Sequence, residues 1–149
     1  MKKILALLVL CISFNASAQI FDPVKWSTSV VKISDTEYDL IATATIEEHW
    51  HLYSQDVPEN GPRPTKFVFE NNGQYLKKGN TKEGAGHEVD DPIFEMRIKY
   101  FDNQADFKQR IRLKSKESFT VKGTVEFMVC NDTQCLPPKE VDLEFKVGE

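Results

Sequence analysis

From Leu40 onward the chain repeats with a period of two. In YDLIATATI, Leu40, Ala42, Ala44 and Ile46 fall on one side, with Thr43 and Thr45 opposite. Successive side chains of a β-strand point to opposite faces, so this alternation predicts strands half-buried against a core. DFKQRIRL repeats it with Phe107, Ile111 and Leu113, one polar residue, Gln109, interrupting the stripe. TVEFMV aligns Val125, Phe127 and Val129, and EVDLEFKV aligns Val141, Leu143, Phe145 and Val147. TKFVFE puts Phe67 and Phe69 together, and VKWSTSVVKI from Val24 reads as a weaker first strand. There is no sustained helical stripe, internal repeat or low-complexity tract. The turn-forming stretches PENGPRP, NNG, EGAG and FDNQ separate the runs. Seven or more strands with short connections predict an all-β fold, an antiparallel β-sandwich.

The N-terminus predicts the compartment. MKK supplies a positive start, ILALLVLCISF an apolar run, and ASA before Gln19 a small-residue cleavage pattern, together the signature of a secretory signal peptide over residues 1–18. The apolar run is well short of the roughly 20 residues that a membrane span requires. Cys11 is expected to leave with this segment, and Leu10 before it is too large for a lipoprotein cleavage site. Residues 19–149 then form one domain. The whole chain carries a net charge of −4; losing Lys2 and Lys3 leaves 17 basic residues against 23 acidic ones, a net −6. An acidic domain is a poor fit to nucleic acid, which attracts basic surfaces.

Two cysteines remain, Cys130 and Cys135 in CNDTQCLPP. In an exported protein they are disulfide partners by default. They bracket a turn-rich NDTQ between two predicted strands, at the expected tip of a hairpin. One reading is an inert staple in an exported binding or assembly module. Against it, so short a loop gives a chain-entropy gain of only about 2 kcal/mol, and a hairpin already holds its own ends together. A staple in a sandwich typically joins the two sheets through the core. A tight bridge at an exposed tip is the reducible kind, which favours a working redox pair.

An exported β-sandwich whose late hairpin reads cysteine, short loop, cysteine, apolar residue and PP resembles the N-terminal periplasmic domain of the thiol:disulfide interchange protein DsbD. HWHLYSQ from His49 is similar to an aromatic LY segment of that family, and GHEVDDPIF from Gly86 to the loop that caps its active site. The resemblance implies an immunoglobulin-like domain that relays electrons. Its donor would be the membrane-embedded part of a DsbD-type system, together with a thioredoxin-like part, and its acceptors periplasmic thioredoxin-fold proteins serving disulfide isomerisation or cytochrome c maturation. It implies Cys135 as the exchange residue and Cys130 as the resolving one. Three departures stand out: four residues rather than five between the cysteines, no phenylalanine-tyrosine-glycine run in the cap, and a chain that stops after the domain. Phe94 is therefore the first cap residue expected, with Ile93 next; the other reading of Phe94 is an ordinary strand residue facing the core.

No cofactor is expected, since thiol exchange requires none. His49 and His51 would share one strand face, and with His87 they offer imidazoles for copper or zinc, but the spacing is a weak signal. Surface or aromatic-packed histidines are the plainer reading, so no metal is expected. Tyr53 is expected either beneath the cysteine pair or as a core tyrosine with a satisfied hydroxyl. Glu88, Asp90 and Asp91 read as a partner-facing acidic patch or as a solvated loop. The charge of EVDD would keep that loop hydrated while Ile93 and Phe94 pack inward. With no helix N-terminus at a hairpin tip and Asp132 nearby, the pair is expected to be a passive shuttle activated by its partner.

Overall fold

The computed structural model of the protein describes residues 21–148; the expected signal peptide, residues 1–18, lies outside them. The alternating runs form strands at the expected places. Sheet A has the order β1 (Val24–Lys32), β2 (Glu37–Ile46), β8 (Gln104–Leu113) and β5 (Tyr75–Glu83). Sheet B has the order β10 (Val129–Cys130), β3 (His51–Tyr53), β7 (Met96–Phe101) and β6 (His87–Asp91). Sheet C has the order β11 (Lys139–Val147), β9 (Phe119–Phe127) and β4 (Lys66–Phe69). Every pairing is antiparallel. The result is the expected immunoglobulin-like sandwich, with no helix among the described residues.

One main core fills it. Leu40, Ala42, Ala44, Ile46, Phe107 and Ile111 of sheet A are buried together with Val121, Val125, Leu143 and Phe145 of sheet C. Leu52, Phe101 and Val129 close the same core from one face of sheet B. Trp26, half-buried, packs against it, its ring 5.5 to 5.8 Å from those of Phe67, Phe107 and Phe127. This explains why β1 reads weakly yet runs its full length. Only Val24 of β1 is buried, but the strand pairs with β2 from Val24↔Ile46 to Lys32↔Tyr38.

Gln109, the polar interruption, is buried in the stripe with its amide satisfied. Its Nε2 donates to the carbonyls of Arg110, Lys78 and Gly79, and its Oε1 accepts from the Thr81 hydroxyl. These bonds serve the bulge where β5 slips register between Lys78 and Lys82, beside Gly79 in the left-handed region at φ 67°.

Glu83, at the end of β5, ties sheet A to sheet B. Its carboxylate accepts from the Ser54 hydroxyl, from the Gln55 amide at 2.9 Å and from Lys99 Nζ at 2.9 Å. Burial alone would raise its pKa; the Gln55 amide, the Ser54 hydroxyl and Lys99 together outweigh that and hold it below the ordinary glutamate value. A carboxyl lowered in the folded state contributes stability above its unfolded pKa and loses it as the pH falls through the folded value. Glu83→Gln is therefore expected to cost about 1–3 kcal/mol near neutral pH. The gap to wild type should close as the pH drops below 4.5, the ordinary value. Urea midpoints of both proteins, measured near neutral pH and in acid, check this.

Candidate functional site

The cysteine pair belongs to sheet B rather than to a free hairpin tip. After Phe127 the chain leaves the partners of β9, and Val129 and Cys130 pair instead with Leu52 and His51 of β3. The alternation continues through the change of partner. Phe127 and Val129 face the main core, while Met128 and Cys130 face a second, smaller cluster on the other side of sheet B. That cluster has Tyr53, Ile98 and Cys130 at its centre, with Val57, Phe94, Met96, Tyr100, Met128 and Cys135 packed against it.

Cys130 and Cys135 form a disulfide with their Cα atoms 4.0 Å apart, and the two residues are also bridged as an antiparallel backbone pair. The expectation of an exposed tip is corrected for Cys130, which is 1% exposed, and Cys135 is half-buried. The reason is that the 131–134 turn folds back on sheet B. Asn131 organises that turn: its Oδ1 accepts from the amides of Thr133 and Gln134, and its own amide donates to the Gln134 carbonyl. Leu136 returns an amide to the Val129 carbonyl at 2.9 Å, and the exposed Pro137 and Pro138 follow. The loop is thus held by backbone and Asn131 contacts independently of the sulfur bridge.

The GHEVDDPIF segment is mostly strand. His87–Asp91 form the edge strand β6, and residues 92–95 make a tight turn into β7, with Glu95 in the left-handed region at φ 54°. Asp91 is buried, which corrects both its solvated-loop and its partner-facing readings. Its carboxylate accepts from the Tyr53 hydroxyl at 3.0 Å and from the Ile93 and Phe94 amides at 2.8 and 3.1 Å. Glu88 and Asp90 do face solvent, Glu88 lying 3.3 Å from Arg97 Nε. The turn that Asp91 fixes points Phe94 inward, its ring 5.9 Å from that of Tyr53 and edge-on to it. Ile93 points outward and is 40% exposed, so of the two only Phe94 joins the cluster.

Tyr53 fits both of its expectations, fully buried in the cluster of Cys130 and with a satisfied hydroxyl. Burial, and then the neighbouring Asp91, push its ionisation well above the ordinary tyrosine range, so it stays a neutral donor. His49 and His51 do not share a strand face. His49 stands in a turn at φ 69°, exposed beside Glu48, while His51 begins β3. His51 stacks at 4.3 Å on Tyr100, and Tyr100 lies 6.0 Å from His87. No group of three or more His, Cys, Asp or Glu is gathered as a metal cage among the described residues.

Residues 21–146 match the family described as thiol:disulfide interchange protein DsbD, N-terminal. This chain belongs to that family. Among solved structures it is similar to the N-terminal periplasmic domain of ScsB from Proteus mirabilis, at 13% identity and a TM-score of 0.55, covering 81% of this chain and 44% of that one. It is also similar to the complex of the DsbD N-terminal and PilB N-terminal domains from Neisseria meningitidis, at 14% identity and a TM-score of 0.52, covering 87% and 88%. The reduced DsbD N-terminal domain from the same organism matches at 14% identity and a TM-score of 0.48, over 80% and 82%. These likenesses concern the fold; the chain spans less than half of the ScsB chain it resembles. No curated protein matches this sequence. No helix among the described residues is long and apolar enough to cross a membrane.

Two residues of the site escaped the sequence reading. His51 is packed on an aromatic ring, Tyr100, as the plainer reading expects, but its place opposite Cys130 follows from a strand pairing that no local motif announces. Asn131, the organiser of the intercysteine turn, had only the weak signal of an Asx turn. Asp91→Ala would leave the Tyr53 hydroxyl and two turn amides without their acceptor. It is expected to cost about 2–3 kcal/mol in urea unfolding, whereas Ile93→Ala should leave the midpoint within about 0.5 kcal/mol of wild type.

Proposed function

We propose that this chain is a periplasmic thiol:disulfide relay domain, exported by its N-terminal signal peptide, that passes reducing equivalents through Cys130 and Cys135 to thioredoxin-fold partners. The observation that carries the reading is a disulfide that constrains almost nothing. It closes a turn already held by Asn131 and by a backbone bridge, and it joins neither sheet to the other. A bridge with so little structural work is free to open and close.

The unequal exposure of the two sulfurs supports a division of labour. Cys135 is half-buried and Cys130 is 1% exposed, so an incoming macromolecular thiol or disulfide meets Cys135 first. In the reduced domain the Cys135 thiolate attacks a partner disulfide to form a mixed disulfide. Cys130 then attacks the Cys135 sulfur and releases the partner as a dithiol. A membrane-embedded donor of the DsbD type would reverse the sequence to reload the domain. Docking space is available beside the pair, in a groove of about 530 Å³ lined by Val57, Pro58, Pro64, Phe94, Met128 and Pro138. That a DsbD N-terminal domain forms a complex with the PilB N-terminal domain supports a protein partner for this domain too.

Phe94 is the proposed cap. It belongs to a turn, not to a strand of the main core, so it can swing away while both sheets stay intact. Asp91 and Tyr53 hold the cap closed from beneath.

Two tests follow from this reading. Cys130→Ser is expected to trap a mixed disulfide with a reducible thioredoxin-fold partner on non-reducing gels, while Cys135→Ser traps little; equal trapping would remove the assignment of roles. Phe94→Ala is expected to speed reduction by dithiothreitol several-fold. Its stability cost should fall below the roughly 3–5 kcal/mol of a fully buried phenylalanine. A large stability loss with an unchanged reduction rate would make Phe94 a packing residue only.

A further inference from the structure

We propose that His51 is the proton acceptor for the Cys130 thiol during resolution of the mixed disulfide. The inference rests on the exchange reading above and adds the group that activates its buried sulfur.

His51 stands directly across the β10–β3 pair from Cys130. Directly opposed residues of an antiparallel pair share a face, with Cβ atoms about 4.5–5.5 Å apart. The common face is independently marked by Tyr53, two residues on from His51, which packs with Cys130, and by Tyr100, which stacks on the imidazole at 4.3 Å. The two ring nitrogens of His51 have different surroundings. Nε2 lies 3.5 Å from Asp132 Oδ1, within the turn that links the cysteines. Nδ1 is shut away from solvent and has no hydrogen-bond partner. A buried polar nitrogen without a partner is costly and calls for an explanation. The oxidised pair has no hydrogen to offer, whereas in the reduced domain the Cys130 thiol gains one S–H donor on this face. The orphan nitrogen is then an acceptor waiting for the reduced state.

The surrounding charges favour the transfer. Asp132 Oδ1 offers Nε2 an acceptor at 3.5 Å, and a neutral imidazole with its proton on Nε2 has Nδ1 free to accept. Tyr100, on β7, cannot compete for the proton: burial first, then Asp102, Asp132 and Asp91, push its ionisation upward. His87, on β6, is beyond Tyr100 with its Nε2 3.3 Å from Asp102.

The step balances as follows. The Cys130 thiol gives its proton to His51 Nδ1, and its sulfur attacks the Cys135 sulfur of the mixed disulfide. The Cys130–Cys135 bond forms, the Cys135–partner bond breaks, and the electron pair leaves on the partner sulfur as a thiolate. Over the two exchanges together, formation of the mixed disulfide and its resolution, the domain is oxidised by two electrons and the partner reduced by two.

The test oxidises the reduced full chain with glutathione disulfide, quenching with acid and alkylating at intervals, so that mass spectrometry separates the glutathionylated intermediate from the resolved disulfide. Wild type is expected to resolve readily at neutral pH. His51→Phe, which keeps an aromatic ring on Tyr100, is expected to resolve at least about tenfold more slowly at neutral pH. Its rate should go on rising toward the ordinary thiol pKa of about 8.5, while glutathionylation of Cys135 changes little. Asp132→Asn, an exposed turn change that leaves the sheet untouched, should move the profile in the same direction by less, and decides the matter if His51→Phe does not fold. Superimposable profiles for wild type and a folded variant overturn the role of His51 and leave the exchange reading standing. Failure of Cys130→Ser to form any mixed disulfide, with glutathione or with a thioredoxin-fold protein, overturns both.

Discussion

Two residues of strand pairing, Val129 with Leu52 and Cys130 with His51, set everything at the redox end of this molecule. They carry the chain from sheet C into sheet B without breaking its alternation, so Val129 stays in the main core and Cys130 emerges on the opposite face. A slip of one residue would exchange these faces, because side chains alternate with a period of two. It would leave the cysteine in the aromatic core and a valine beneath Phe94. The long pairing of β9 with β11, from Phe127↔Lys139 to Phe119↔Val147, pins that register from one side, and the Leu136 amide to the Val129 carbonyl pins it from the other. The large sandwich thus serves as a clamp for a very short strand.

On the cysteine face of sheet B, the deciding group is a buried carboxylate. Asp91 collects a phenolic hydroxyl and two turn amides, each of which would otherwise be an unsatisfied donor in an apolar cluster. The same three bonds fix where Phe94 points. They belong to one side chain at the end of an edge strand, so releasing the turn breaks a local set of contacts and leaves the β6–β7 ladder in place. The lid proposed above would open at a cost set by a few hydrogen bonds and one half-buried ring, well below that of unfolding the domain.

The fold was legible because its signal is periodic. Each alternating run became a strand, the four turn-forming stretches became connections, and the pairing of Cys130 with Cys135 followed from there being no other partner. What escaped was everything decided by contact between distant strands. Gln109 reads as a flaw in a stripe, and only the bulge in β5 shows what its amide serves. Asp91 lies in a run of acids that looks solvated, yet it is the one turned inward. His49 and His51 have strand spacing, but a left-handed residue at His49 puts the first outside the strand. The hairpin tip looked exposed because nothing local in NDTQ says that a third sheet stands behind it.

The charges around the pair bear on how its chemistry is controlled. Thiols are activated by helix N-termini and by neighbouring cations; no helix is present among the described residues, and Asp91, Asp102 and Asp132 all act on Tyr100 of the cysteine cluster. Carboxylates disfavour a nearby thiolate. In the proposed relay a docked partner would change that balance by excluding water and by bringing its own activated thiol or its own helix terminus. In that reading the buried sulfur would not be helped in this way, since Cys130 is 1% exposed. Its activation has to come from within the domain, and the imidazole across the β10–β3 pair is the only basic side chain that the described strand registers place directly opposite it.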